Sequence, residues 1–427
     1  MNRILLLFFS CFLSFYCWSQ KKTGTLDYFV EAAKTHVPQL QENANLLKVG
    51  ALQNDMIKAQ NQGFKIDATS EVMVSPYFNN QGKVIDITTN PSPNAFGYDV
   101  GITNGGLYAA QINITKNLFN QAQTDNLLFQ NKIQNRSIAL SSDKIVHNLK
   151  KNIKDAYVMA YQFQLQKKFV EQVIEDLENR LQVVSLLVKK GVLAHSDYML
   201  LELEVENKRL ERQQIESNSK ASINQLYSMS GIPVEQLDSL VKPNLEFTSQ
   251  PKQYFYQKKY ENDSLQLVAD QRVFDNQYKP QLSAYANTGL NAVEIPNIDH
   301  KFGASAGIKL TIPIYDGHQQ KIKEAQTQLK TETLEYYKQN LKNTLNNKFQ
   351  SIENQINTLN NNMINLEVQI QKQAKVLDIY KGKLMLGQVS IVDYLKVVES
   401  YKLKTYTKLQ MQTNYWLLIN QYNDINW

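Results

Sequence analysis

The sequence is written twice. Thr115-Lys-Asn-Leu-Phe119 lines up with Thr311-Ile-Pro-Ile-Tyr315, and Gly191-Val-Leu-Ala-His-Ser-Asp197-Tyr198 lines up with Gly387-Gln-Val-Ser-Ile-Val-Asp393-Tyr394, both at a separation of 196 residues. In each half, 72 residues therefore separate an aromatic residue (Phe119 or Tyr315) from a glycine (Gly191 or Gly387). One structural unit is used two times, and any fold must accommodate both copies.

Each 72-residue stretch carries a heptad pattern. In the second copy Ile352, Ile356, Leu359, Met363, Leu366, Ile370, Leu377, Tyr380 and Leu384 recur by fours and threes, interrupted by Gln373. In the first, Ala156, Ala160, Phe163, Val170, Ile174, Leu177, Leu181, Val184 and Val188 keep the same register, interrupted by Lys167. The shared register predicts two equivalent helices that each pack a narrow stripe against neighbours. At 1.5 Å per residue each would be a rod of roughly 100 Å. A second helix follows each glycine, at about 197–229 and 393–423, with Ser196-Asp197 and Ser390 as caps. On this feature alone a generic coiled coil fits as well.

Ahead of each rod lies a predicted β-hairpin. From Phe302 to Ile314, apolar residues alternate with Gly303, Ser305, Gly307, Lys309 and Thr311, a period of two that marks a strand with one apolar face. Tyr108, Ala110, Ile112 and Ile114 alternate in the same way, and partner strands start near Ile66 and Pro280. The first hairpin's loop, Asn79 to Gly106, is long and rich in Gly, Asn and Pro, whereas the second, around Glu294 to His300, is short. Strands of this length cross a bilayer when tilted. Four strands cannot close, because their edges would leave backbone groups unpaired in lipid, and small barrels need about eight. Several chains must share one barrel.

Arg3 followed by the apolar run Ile4–Phe15 and by Cys17-Trp18-Ser19 reads as a signal peptide over residues 1–19, too short to span a bilayer. Lipidation at Cys17 is the alternative, against which Tyr16 is a poor match for the small residue such sites prefer. Cys11 and Cys17 are the only cysteines, so cleavage after Ser19 leaves no thiol for disulfides, metals or nucleophilic catalysis. The formal net charge is +6, with the charges interspersed and no dense basic patch for nucleic acid. The five histidines lack ligand spacing, and no phosphate loop or hydrolase motif occurs. His195 reads as an exposed turn residue. The expectation is a protein that is not an enzyme and holds no cofactor. The readings divide the chain into a signal peptide (1–19), a first repeat (20–231, β-hairpin at about 64–118, helix pair at about 119–230), a linker (232–251) and a second repeat (252–427, β-hairpin at about 278–314, helix pair at about 315–423).

The residues also resemble a known family, the TolC-like outer-membrane efflux proteins, over essentially the whole mature chain. Thr25-Leu-Asp-Tyr-Phe-Val-Glu-Ala-Ala33, followed by Val37-Pro38, is similar to the family's opening helix. Tyr278-Lys-Pro-Gln-Leu282 is similar to its strand start, Ile312-Pro-Ile-Tyr-Asp-Gly317 to its strand exit, and Leu226 to Gly231 to the close of each half. The resemblance implies a mostly α fold with a β-barrel part: a homotrimer whose chains share a twelve-stranded barrel in outer-membrane lipid and a twelve-helix tunnel through the periplasm. It further implies a periplasmic adaptor and an inner-membrane pump as partners, in efflux or type I secretion.

The resemblance carries function to the two helical turns, the periplasmic tip of the family. It places adaptor docking at Gly191, Val192, Leu193 and Gly387, and a gate at Asp197, Asp393, Leu384, Val389 and Lys396. Three copies of Asp393 would form a cation-attracting ring, and helix capping is the alternative role for both aspartates. This chain departs from the family where members with an ionic lock carry Tyr and Arg, here Leu384 and Val389, and where they carry a second carboxylate, here Lys396, three residues from Asp393 and able to offset it. The competing reading is a periplasmic or surface coiled-coil scaffold, for which alternating strands have no use.

Overall fold

A computed structural model describes residues 23–88, 90–97, 106–235, 239–247, 254–293, 295–296 and 298–427. The expected signal peptide and both cysteines lie outside the described residues, as do parts of the first hairpin's loop and of the linker. In chain order the elements are β1 (Thr23–Gly24), α1 (Leu26–His36), α2 (Pro38–Gln62), β2 (Lys65–Val74), β3 (Tyr77–Asn80), β4 (Lys83–Asp86), β5 (Gly106–Leu118), α3 (Gln121–Lys189) and α4 (His195–Ser230). Then follow β6 (Ser239–Leu240), α5 (Tyr254–Asp275), a 3₁₀ turn (Asn276–Tyr278), β7 (Gln281–Ala292), β8 (Phe302–Thr311), α6 (Gln319–Met385) and α7 (Ile391–Ile425). One compact unit comprises Asn43–Leu140 and Gln257–Gln339; the other takes the rest of the described chain. Each unit draws on both sequence repeats.

The first unit holds a four-stranded antiparallel sheet in the order β2-β5-β7-β8. The two hairpins join through β5 and β7, which pair from Tyr108↔Ala292 to Leu118↔Leu282. The register puts Ile66, Ala68, Val72, Ile112, Ile114, Leu282, Ala286, Leu290, Phe302, Ala306, Ile308 and Leu310 on one face. Asp67, Thr69, Glu71, Gln111, Asn113, Ser283, Asn287, Ser305 and Lys309 fall on the other. On the polar face Asn113 donates to Thr69 Oγ1 at 2.8 Å and Ser305 to Asn287 Oδ1 at 2.7 Å. Among the described residues the apolar face is open, with Ile308 70% exposed. The outer edges of β2 and β8 have no partner strand among the described residues.

The last strand ends at Thr311, short of the alternation that runs on to Ile314. Pro313 has no N–H to give a ladder, and Ile314 is 96% exposed beyond it. The helices start correspondingly late, at Gln121 and Gln319 rather than at the preceding aromatics. Asp316 caps the start of α6 by accepting the Gln320 N–H at 2.9 Å, which holds its carboxyl below the usual range. The long first loop contains a hairpin that the sequence reading missed: β3 and β4 close through Gln81 and Gly82, both at positive φ (48° and 81°), the geometry that two-residue hairpins favour.

The second unit is helical. Helix α3 has 69 residues and α6 has 67; their last residues, Lys189 and Met385, are 196 apart, as are the first residues of α4 and α7, His195 and Ile391. The heptad stripe is the buried stripe: Ile352, Ile356, Leu366, Ile370, Leu377 and Leu384 in one rod, Val170, Ile174, Leu177 and Val184 in the other. Lys167, the polar interruption, pairs with Glu216 of α4 at 3.6 Å. The first rod also buries Ile153 and Tyr157, which pack with Phe29 and Ala33 of α1 and with Leu226, Tyr227 and Leu240. The linker is fastened there. Leu240 gives its N–H to Gln164 Oε1 (2.7 Å) and takes the Gln164 amide on its carbonyl (3.0 Å), while β6 pairs parallel with β1. The Tyr157 hydroxyl lies 2.9 and 2.7 Å from the Gly24 and Val241 carbonyl oxygens, and burial pushes it up to about 12.

Two strand glycines differ sharply. Gly289 has φ 149°, and a Cβ there would lie 2.2 Å from the Ala110 carbonyl oxygen; at Gly303 a Cβ meets nothing within 4 Å. Gly289→Val is expected to lower the thermal unfolding midpoint measured by circular dichroism, at a cost of about 2 kcal/mol or more, while Gly303→Ala leaves it unchanged.

Candidate functional site: the paired helical turns

Both long rods end in the same way. Gly191 and Gly387 adopt φ of 74° and 67°, which glycine reaches without a Cβ penalty. Gly191 N–H donates to Val188 O and Val192 N–H to Leu187 O, each at 2.9 Å; Gly387 and Gln388 repeat this on Leu384 O and Lys383 O at 3.0 Å. These paired bonds satisfy carbonyls that the helix end would otherwise strand. The turns touch: a Cβ on Gly387 would stand 2.8 Å from Val192 Cγ1, whereas one on Gly191 would meet nothing.

The following helices are capped differently. At α7, Ser390 Oγ accepts the Asp393 N–H at 3.1 Å, and its hydroxyl donates to Asp393 Oδ2 at 2.7 Å. At α4 the cap position falls on Ala194, not Ser196, which lies inside the helix. Asp197 makes up for the missing side chain by accepting the Ala194 N–H at 3.2 Å. Lys396 lies 3.7 Å from Asp393 on an exposed face. Leu384 is 1% exposed, deep in a core shared by both hairpins with Leu201, Val205, Leu377, Ile391, Tyr394 and Val398. Leu193 and Val389 pack against that core, and Val192 is exposed.

Two polar clusters fasten one hairpin to the other, and the sequence reading named neither. Asp176 of α3 takes Lys381 of α6 at 2.9 Å, Arg180 at 3.8 Å and the hydroxyl of Tyr394 of α7 at 3.3 Å. Burial, followed by the Asp176 charge, pushes the Tyr394 hydroxyl above its ordinary range. Higher on the rods, Lys208 of α4 (6% exposed) reaches Glu204 at 2.8 Å, Glu399 at 3.3 Å and Glu211 at 3.5 Å. Lys402 of α7 (9% exposed) reaches Glu399 at 3.1 Å and Glu211 at 3.2 Å, and Tyr406 donates to Glu211 at 2.8 Å. Burial works against the charge on Glu211, yet the Tyr406 bond and Lys402 outweigh it and hold its carboxyl below the usual value. Burial likewise opposes the charge on Lys208, and its carboxylate partners raise it above an ordinary lysine. Among the described residues no group of three or more His, Cys, Asp or Glu could hold a metal ion, and no helix is long and apolar enough to cross a membrane.

No family model and no curated protein matches the chain. Solved structures match it over nearly its full length at low identity. That of CusC, described in terms of folding and transmembrane channel formation, has a TM-score of 0.72 at 12% identity, covering 97% of this chain and 95% of that one. The outer membrane protein VceC from Vibrio cholerae gives 0.69 at 12% identity over 94% and 96%. The CmeC outer membrane channel of Campylobacter jejuni gives 0.70 at 11% identity over 94% and 85%. The chain has the outer-membrane channel fold. Within that fold the two turns differ in cap and in core: Tyr394 is buried on Asp176, whereas its counterpart Tyr198 is only partly buried and donates to its neighbour Glu202 at 3.1 Å.

Removing one member of the Lys208–Lys402 network strands buried charge. Lys402→Met is expected to cost about 3 kcal/mol in thermal or denaturant unfolding. Because Glu211 titrates lower in the folded chain than unfolded, its contribution is complete above the ordinary glutamate value near 4.5 and is lost as pH falls through the lower folded value. The wild-type midpoint should hold from pH 7 to about 5 and then drop in more acid solution, with a smaller acid-dependent drop in the variant.

Proposed function

We propose that the chain is one subunit of an outer-membrane exit duct, conducting small molecules or proteins from the periplasm to the exterior in a tripartite efflux pump or type I secretion system. The observation that carries this reading is the sheet: one face apolar and open, one face polar, and both edge strands unpaired among the described residues, in a chain whose helices run to 69 and 67 residues. Such a sheet becomes stable in lipid when copies join edge to edge with the apolar face outward and the polar face lining a lumen. All four strands are antiparallel to their neighbours, so β8 of one copy meets β2 of the next in antiparallel sense, and three copies supply twelve strands. The likeness to solved outer-membrane channels supports the same assembly.

In this reading the protein is exported by its signal peptide to the outer membrane and extends a helical tunnel into the periplasm. A periplasmic adaptor docks on the turns at Gly191, Val192, Leu193 and Gly387, and an inner-membrane pump loads the duct. Asp393, with Lys396 beside it, rings the mouth, while Asp197 closes the first turn. Leu384 and Val389 act from beneath, as the packed core that holds the second turn in place.

The native protein is expected to fractionate with outer membranes and to need detergent for release; recovery in the soluble periplasmic fraction would remove the duct and favour a scaffold. In single-channel recordings Asp393→Asn should lower cation preference, and unchanged selectivity would take Asp393 out of the mouth.

A further inference from the structure

We propose that the seam between two copies is keyed by charge: Asp67 on β2 of one copy takes Lys309 on β8 of the next, in the one register that uses both edge strands from end to end. The key rests on the duct reading above and fixes how its subunits fit. Both residues lie on the polar face, opposite Asn113 of β5 and Ser283 of β7 inside the chain. Neither has an ion-pair partner among the described residues.

Strands β2 and β8 have ten residues each. Copies joined edge to edge must keep the apolar residues of both strands on one face, so the pairing shifts only in steps of two. Inside the chain one row of the sheet runs Ile66–Ile114–Ala286–Ala306. Setting Ala306 opposite Ser70 of the next copy pairs all ten rungs, from Lys65 on Thr311 to Val74 on Phe302, and puts Asp67 directly opposite Lys309. Each copy then climbs four residues over its four strands. At about 3.3 Å per residue and 4.8 Å per strand this is a tilt of about 35°, as closed barrels have. A slip of two residues one way sets Lys65 against Lys309, a destabilising like-charge pair, and flattens the tilt to about 20°. A slip the other way leaves Lys309 on Thr69. Either slip strands two residues of each strand without a partner.

The seam continues below the sheet. Hydrogen bonds order the helices of this unit as the strands are ordered. Asn131 of α3 donates to the Gly50 carbonyl of α2 (2.7 Å), Gln130 of α3 to Asp270 of α5 (2.8 Å), and Thr327 of α6 to Gln271 of α5 (2.8 Å). The outer helices each carry an exposed apolar stripe at heptad spacing: Val49, Leu52 and Met56 on α2, and Ile322, Leu329 and Tyr336 on α6. Helix α2 leads into β2, and β8 leads into α6. The contact that brings Asp67 to Lys309 therefore sets these two stripes beside each other, as a coiled-coil seam requires. A second copy of this chain supplies the matching charge and the matching stripe in step.

The test is native mass spectrometry of the full chain in detergent, with the concentration at which the trimer half-dissociates as the readout. Because three seams weaken together, Asp67→Lys and Lys309→Asp should each raise it about tenfold. The exchanged pair, Asp67→Lys with Lys309→Asp, should return it to within about threefold of wild type. Glu71→Lys, at a position that faces Ser305 in this register, should leave it unchanged. The losses of the single variants should shrink in about 0.5 M salt, which screens exposed charges. Single variants that assemble like wild type, an exchanged pair no better than its singles, or a Glu71→Lys loss as large as that of Asp67→Lys would overturn the key while the trimer, and the duct with it, stands. A wild-type chain that is monomeric in detergent and in membranes would overturn the duct reading and the seam together.

Discussion

A strand edge in hydrocarbon has no water to turn to, and each unpaired N–H or C=O there costs several kcal/mol. In the duct proposed above, that constraint organises the molecule. Among the described residues the sheet ends on β2 and β8 with no strand paired beyond either, and its apolar face stays largely exposed. Both defects are removed by the same event, the joining of copies around an axis, and no rearrangement inside one copy removes either. The rods repeat the logic in helical form. Their buried stripes are narrow, and large apolar side chains such as Leu210 and Leu403 remain exposed elsewhere on the hairpins, as expected of helices that need lateral neighbours.

Within a copy, the two hairpins are held by groups that a coiled coil does not require. The Lys208–Glu399–Lys402–Glu211 network and the Asp176–Lys381–Tyr394 cluster both run from the first repeat to the second. Buried ion networks add little net stability over apolar packing, yet they are severe toward misalignment, since a shifted register strands a charge. They fix which face of one hairpin meets which face of the other. The two turns then stand side by side without being equivalent: the turn after α6 is capped by a serine and rests on Tyr394, which reaches across to Asp176, while the turn after α3 is closed by an aspartate reaching back.

Much of this was legible in the sequence because it is periodic. The separation of 196 residues predicted both rod ends, the heptad predicted which side chains are buried, and strict alternation predicted which strand residues share a face. What periodicity could not reveal was whatever breaks the repeat or joins residues far apart. The β3–β4 hairpin lies in the insertion that only the first copy has. The fastening of the linker depends on Tyr157 and Gln164, which look like ordinary rod residues until Leu240 is placed against them. Asp176 and Lys381 are separated by more than two hundred positions, and nothing local marks them as partners. Ser196 resembled a cap and is not one, because the turn delivers Ala194 to that position and Asp197 already closes it. Pro313 ends the strand early, at Thr311, because it has no N–H to give the ladder.

The central claim is that copies close through β2 and β8. Because cysteines occur only at positions 11 and 17, thiols introduced in the sheet report cleanly. With one cysteine at Ser70 in β2 and a second scanned from Ala304 to Ile308 in β8, oxidation in intact outer membranes should give covalent species of two and three chains and none larger, at positions of a single antiparallel register. Monomers alone at every position, or a ladder that runs past three, would contradict the closed ring.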